Sequence, residues 1–219
     1  MSLPGRPKGE YWSAQRESTP VSGAPPHPDW SAGGWLAGAR RCASLHRGPR
    51  PAGVQVELAL IHSISLPPGR YGGDAIERLF TNQLDFTAHP YYEALRGREV
   101  SAHFLLRRDG ALVQFVGCDE RAWHAGASQW HGRANCNDFS VGIELEGLEG
   151  LLFDASQYRA LAALLHALAM AYPIRGVAGH EHVAAGRKHD PGAGFDWPWL
   201  AAALGWPAAY FPEDVGIGH

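Results

Sequence analysis

The sequence is short of cysteine, nearly devoid of lysine, and has neither a long apolar run nor a surplus of positive charge. Each shortage excludes a class of protein. Its 219 residues include three cysteines, Cys42, Cys118 and Cys136. They are odd in number and not in a metal-binding spacing, so they read as free thiols of a reducing compartment rather than a disulfide framework. A formal net charge of −3 argues against nucleic acid as a partner, because phosphate binding needs a concentrated basic surface. No run of about 18 apolar residues is present, so no membrane span is expected. Residues 1–15 lack the apolar core of a secretory signal, and a cytoplasmic location is therefore expected. With 45% apolar and 19% charged residues, a hydrophobic core is available and wholesale disorder is excluded.

What is present organises into a single domain with tails. Residues 1–31 are rich in Pro, Gly and Ser without apolar periodicity, which predicts a flexible arm. The ordered domain is expected over 32–206, followed by an irregular tail at 207–219. Val54–His62 alternates with period two and predicts a strand, with Leu58, Leu60 and His62 on one side. Asp74–Leu84 predicts a short helix. Two β-rich runs, Ser101–Arg107 and Ala111–Val116, flank Asp109–Gly110 and predict a hairpin. Phe139–Glu146 alternates again. Asp154–Tyr172 carries the stripe Leu161, Leu164, Leu165, Leu168 and Tyr172, with Asp154 and Gln157 as a capping pair and Pro173 as the stop. Strands and helices intermix, giving an α/β fold with a sheet and helices packed on its faces.

Histidine is abundant, with 12 copies. His27, His46 and His219 read as solvated, and His89 and His166 as structural. His62 ends an apolar strand just before a Gly/Pro loop, a place where sites are built. The segment from Gly179 to Gly192 holds His180, His182, His189 and Asp190. Imidazole and carboxylate are the usual ligands of an open catalytic zinc site. His62, one of His180 and His182, and Asp190 would complete such a set. The chain has only two lysines, and Lys188, in an extended stretch, shares a face with Asp190. Glu144, with Glu146 as competitor on the same strand face, offers the carboxylate that metal-assisted hydrolysis needs to move a proton. Trp123–His124 and Trp130–His131 offer aromatic platforms for an apolar or sugar body.

Taken in order, the segments 61–69, 100–103, 121–126, 137–147 and 179–192 resemble the AmpD-type amidases. These belong to the zinc amidase group that also contains phage lysozyme-type amidases and peptidoglycan recognition proteins. The resemblance runs from about Gly34 to Leu200. It implies a single mixed β-sheet flanked by helices and one Zn²⁺ held by His62, His180 and Asp190. It also implies Glu144 as the catalytic carboxylate, Lys188 as the group stabilising the transition state, and Trp123, His124, Arg133 and Asn137 at the substrate. The implied reaction is hydrolysis of the lactyl–L-Ala amide of 1,6-anhydro-N-acetylmuramyl peptides by a monomeric cytoplasmic recycling enzyme. The competing readings are an exported or phage-type amidase of polymeric wall and a non-catalytic muropeptide-binding module. His189 stands between Lys188 and Asp190, where the resembled proteins usually carry a small polar residue.

Overall fold

The computed structural model describes residues 28–217. The arm expected at 1–31 therefore lies outside the described residues up to position 27, as do His27 and His219. Six strands form the main sheet: β1 (Arg40–Arg41), β2 (Leu58–Ile64), β3 (Phe104–Leu106), β4 (Leu112–Gln114), β5 (Ser140–Glu146) and β6 (Gly176–Gly179). Their spatial order is β6-β2-β5-β3-β4-β1. The β3/β4 hairpin is antiparallel and the other pairings are parallel, so the sheet is mixed.

The two long strands occupy the middle, and this changes how their alternation is read. Every residue of β5 is buried, as are the first five of β2. An inner parallel strand is covered on both faces, so its two sides differ in partner rather than in exposure. Ala59, Ile61, Val141, Ile143 and Leu145 belong to the core with the long helix α3 (Ala155–Ala171) and with Trp197, Leu200 and Leu204 of α5 (Trp197–Leu204). The residues between them face the opposite layer. There Leu58 and Leu60 pack with Ala125, Cys136 and Phe139, and further along the same face come His62, Gly142 and Glu144. The regular strand begins at Leu58 rather than at Val54.

Helix α3 forms where its periodicity places it. The Gln157 side chain accepts from the Asp154 backbone N–H at 3.0 Å. Fully buried, it also donates to the carbonyls of Leu106 and Glu146 at 3.2 and 3.1 Å. One capping residue thus ties the helix start to two strands. After Trp206 the chain makes a 3₁₀ turn at Ala208–Tyr210 and buries Phe211 in the main core.

An ionic chain braces the far side. Glu77, in α1 (Ala75–Phe80), pairs with Arg40 at 2.5 Å and with Arg107 at 2.7 Å, and Arg107 continues to Glu146 at 2.8 Å. Burial pushes the Glu77 carboxyl up, but the two guanidinium groups outweigh it and hold it below its ordinary 4.5. A depressed carboxylate contributes stability above its unfolded pKa, and that contribution is lost as pH falls through the lower folded value. Glu77→Gln is expected to cost on the order of 1 kcal/mol at neutral pH, a modest figure because Arg40 is well exposed. Urea denaturation at several pH values should show the wild-type and variant stabilities converging below pH 4.5.

Candidate metal centre

Register assembles the site. In the parallel β2/β5 pairing, His62 stands opposite Glu144. In the β2/β6 pairing, Ile61 stands opposite Gly179, so His180, the first residue of the short helix α4 (His180–Val183), falls beside His62. Three chemically active side chains thus lie in a row across the sheet. The loop from α4 returns through Asp190, whose carbonyl accepts the Glu181 N–H at 2.9 Å.

Three atoms meet over this row. His62 Nδ1 lies 3.0 Å from His180 Nδ1 and 3.1 Å from Asp190 Oδ2, and His180 Nδ1 lies 3.3 Å from Asp190 Oδ2. A tetrahedral ion with bonds of about 2.0–2.1 Å spaces its ligand atoms by roughly 3.3 Å, so this triangle has nearly the dimensions of one face of such a tetrahedron. Among the described residues, these three form the one group able to hold a metal ion in this way. Burial lowers the His62 imidazole to about 4, so it is neutral at pH 7, as a ligand must be. Burial pushes the Asp190 carboxyl up, but hydrogen bonding to His180 and His62 outweighs it and holds the group well below the carboxylate range.

Glu144 completes the centre. Its side chain is buried, and Oε2 has no hydrogen-bond partner among the described residues. Desolvation, and secondarily the Asp190 charge, push this carboxyl well above its ordinary value, while Lys188 pulls it down. A buried carboxylate costs several kcal/mol unless it is paired, so an unpartnered one is a functional feature to be explained. Glu146 differs sharply. Its carboxylate takes the Gly72 N–H at 2.6 Å, the Arg107 guanidinium at 2.8 Å and the Arg108 N–H at 3.3 Å, and is fully engaged in structure.

The remaining candidates separate in the same way. His182 Nδ1 accepts from the Gly179 N–H at 2.9 Å and its ring packs on Trp197, so it serves the turn and not the ligand triangle. His189 is exposed and outside the triangle. Lys188 is half-buried and makes no ion pair among the described residues. His46, expected to be solvated, is buried against Trp123, with ring centroids 5.8 Å apart. His89 caps α2 (Pro90–Glu93) by accepting from the Tyr91 N–H, a structural role.

Of the four residues the resemblance offers for substrate, two join the centre. His124 Nδ1 sits 3.0 Å from His62 Nε2. Asn137 Oδ1 accepts from the backbone N–H groups of His124 and Ala125 at 3.1 and 2.8 Å. Trp123 is partly buried beside His46. Arg133 pairs with Glu57 at 2.8 Å and lies over the Phe139 ring. Glu57 is five residues before His62, roughly 16 Å along an extended chain at about 3.3 Å per residue, which places Arg133 at the other end of the strands. His103, the last residue of the resembling segment 100–103, is fully buried and accepts from the Gly142 N–H at 3.0 Å.

A sheet-end site with three convergent groups able to ligate a metal, a desolvated carboxylate and a lysine close enough to perturb it has the parts of a metal-dependent hydrolase. The family model described as N-acetylmuramoyl-L-alanine amidase matches residues 52–193. The 1,6-anhydro-N-acetylmuramyl-L-alanine amidase AmpD of Citrobacter freundii is 51% identical over 173 residues, which is 78% of this chain and 92% of that protein. The crystal structure of a selenomethionine AmpD derivative superposes with a TM-score of 0.78 at 48% identity, covering 80% of this chain and 99% of the other. A more distant structure is the Escherichia coli amidase AmiD in complex with anhydro-N-acetylmuramic acid-L-Ala-D-γ-Glu-L-Lys. It gives 0.50 at 28% identity, over 70% of this chain and 60% of that one. The chain belongs to the N-acetylmuramoyl-L-alanine amidase family.

Proposed function

We propose that the chain is a zinc-dependent amidase that hydrolyses the bond between the lactyl group of 1,6-anhydro-N-acetylmuramic acid and the L-Ala of its stem peptide. The observation that carries this reading is the Glu144 carboxyl, whose Oε2 is unpartnered among the described residues, beside three candidate ligand atoms spaced 3.0–3.3 Å apart. The anhydro-sugar substrate is inferred from the AmpD relatives, which this chain matches over nearly their whole length.

His62, His180 and Asp190 would hold the ion. When bound, zinc supplies Lewis acidity and makes water a nucleophile near neutral pH. Glu144 takes a proton from the attacking water and delivers it to the amide nitrogen as the C–N bond breaks. Burial makes this carboxyl hold the proton more tightly than a solvated one, which suits the hand-over. The Lys188 ammonium neutralises the charge that grows on the carbonyl oxygen. Loss of one such donor costs about 2.7–4 kcal/mol of barrier, so Lys188→Met is expected to lower kcat by roughly 10²–10³-fold with zinc content unchanged, as read by steady-state kinetics and metal analysis. One chain supplies every group, so a monomer suffices. The free thiols fit a reducing cytoplasm, and no helix among the described residues is long and apolar enough to cross a membrane.

The test is mass spectrometry of anhydro-N-acetylmuramyl tripeptide incubated with the protein, beside intact sacculi and a chelator control. Chelator-sensitive release of tripeptide from the soluble substrate, with sacculi untouched, supports the proposal. Solubilisation of sacculi would make it a wall hydrolase, and no cleavage by zinc-loaded protein would make it a binding module.

A further inference from the structure

We infer that His124 is a positioning residue that fixes the tautomer and orientation of His62, rather than part of a substrate platform. The inference rests on the metal reading above. For both imidazoles to turn a lone pair on Nδ1 toward one ion, each must carry its proton on Nε2. His180 meets this requirement through a backbone acceptor, the Ala125 carbonyl, at 3.1 Å from Nε2. His62 has another imidazole in that place: His124 Nδ1, at 3.0 Å.

Two ring nitrogens at that distance share one proton, and the far end of the chain decides which holds it. The Cys136 carbonyl can only accept, so the Ser140 hydroxyl 2.6 Å away donates to it. That leaves the Ser140 oxygen to accept from His124 Nε2 at 3.3 Å. With its proton on Nε2, His124 presents Nδ1 as an acceptor. His62 then donates from Nε2 and keeps its Nδ1 lone pair toward Asp190 and His180. The polarity of the whole relay is set by one backbone carbonyl.

The surroundings fit the His124 ring to this task. Gly142 lies beneath it, and a Cβ added there would come within 2.5 Å of the ring, so a side chain at 142 would displace it. His103, with its ring centroid 5.6 Å away, is occupied by the Gly142 N–H and the Glu120 carbonyl and does not compete. Asn137 pins the backbone of His124 and Ala125, and Arg187 donates to the Ala125 carbonyl at 2.8 Å. Consecutive residues of one loop therefore receive the Nε2 protons of both histidine ligands.

The test uses the full chain and zinc itself, with affinity read by competition against a chromophoric chelator. His124→Phe keeps the ring's bulk and removes the acceptor. His124→Asn places an acceptor oxygen near the position of Nδ1. The Phe variant is expected to bind zinc about 10–100-fold more weakly than wild type, and the Asn variant to recover most of the loss. Equal affinity of the Phe variant and wild type would overturn the inference. Equal weakness of the Phe and Asn variants would overturn it too, because packing alone would then explain the effect. Long-range ¹H–¹⁵N spectra of the wild-type zinc protein decide the matter without any variant: His124 is expected to be protonated on Nε2, and a proton on its Nδ1 instead would overturn the inference. A wild-type protein that takes up no zinc would refute the metal reading itself, a distinct outcome.

Discussion

Glu144→Gln is expected to remove turnover and leave the zinc in place. Proton transfer by a positioned side chain contributes typically about 10²–10⁴-fold, and a neutral amide can neither take the proton from water nor return it to the leaving nitrogen. The substitution nearly preserves volume, and Glu144 ligates nothing in the His62–His180–Asp190 triangle. It also takes away a desolvated carboxyl whose Oε2 has no partner among the described residues, so the variant should be at least as stable as the wild type at neutral pH. Metal analysis, thermal unfolding and single-turnover kinetics on one preparation test all three statements. Turnover near the wild-type rate would remove Glu144 from its role, whereas loss of zinc would move it into the ligand set.

Asp190→Ala is expected to do the reverse, losing zinc first and activity as a consequence. It removes the only anionic member of the triangle and leaves two neutral imidazoles. Metal contributes several kcal/mol of charge stabilisation to such a reaction, so the activity loss should reach roughly 10³-fold, with about 1.36 kcal/mol for each decade. The fold should survive, because burial alone favours neutral His62 and no buried charge is stranded. Stoichiometric zinc in a folded Asp190→Ala protein would contradict the assignment. Together the two variants separate ligand from base, which chelation cannot do because it abolishes turnover whichever role Glu144 plays.

How much of this was legible in the sequence depended on how local the signal is. Helix α3 announced itself through its leucine stripe and the Asp154/Gln157 pair, because a helix is decided by residues three and four apart. The hairpin around Asp109–Gly110 was equally local. For the central strands, alternation predicted strand correctly but carried no sign that both faces are covered. Double burial depends on the neighbours β6 and β3 and the layers packed on both sides, which no window along β2 or β5 contains.

The site shows the same limit. Residue chemistry alone left His180 against His182 and Glu144 against Glu146 undecided. The resemblance supplied those choices, and the structure shows how the competing residues are engaged. His182 is spent on the Gly179 N–H, and Glu146 on Arg107 and two backbone N–H groups. His62, Glu144 and His180 come together through strand register, a long-range property. His46 looked like a loop histidine because its burial comes from Trp123, 77 positions away in the chain. The links from His124 to His62 and Ser140 were invisible for the same reason.

The most direct test of the account is to titrate zinc back into chelator-stripped protein while following release of peptide from anhydro-N-acetylmuramyl tripeptide. A single centre built from His62, His180 and Asp190 predicts no cleavage at the start, a linear rise, and a break at one equivalent of zinc per chain. Cleavage by the fully stripped protein, or a rise that continues to a second equivalent, would contradict it.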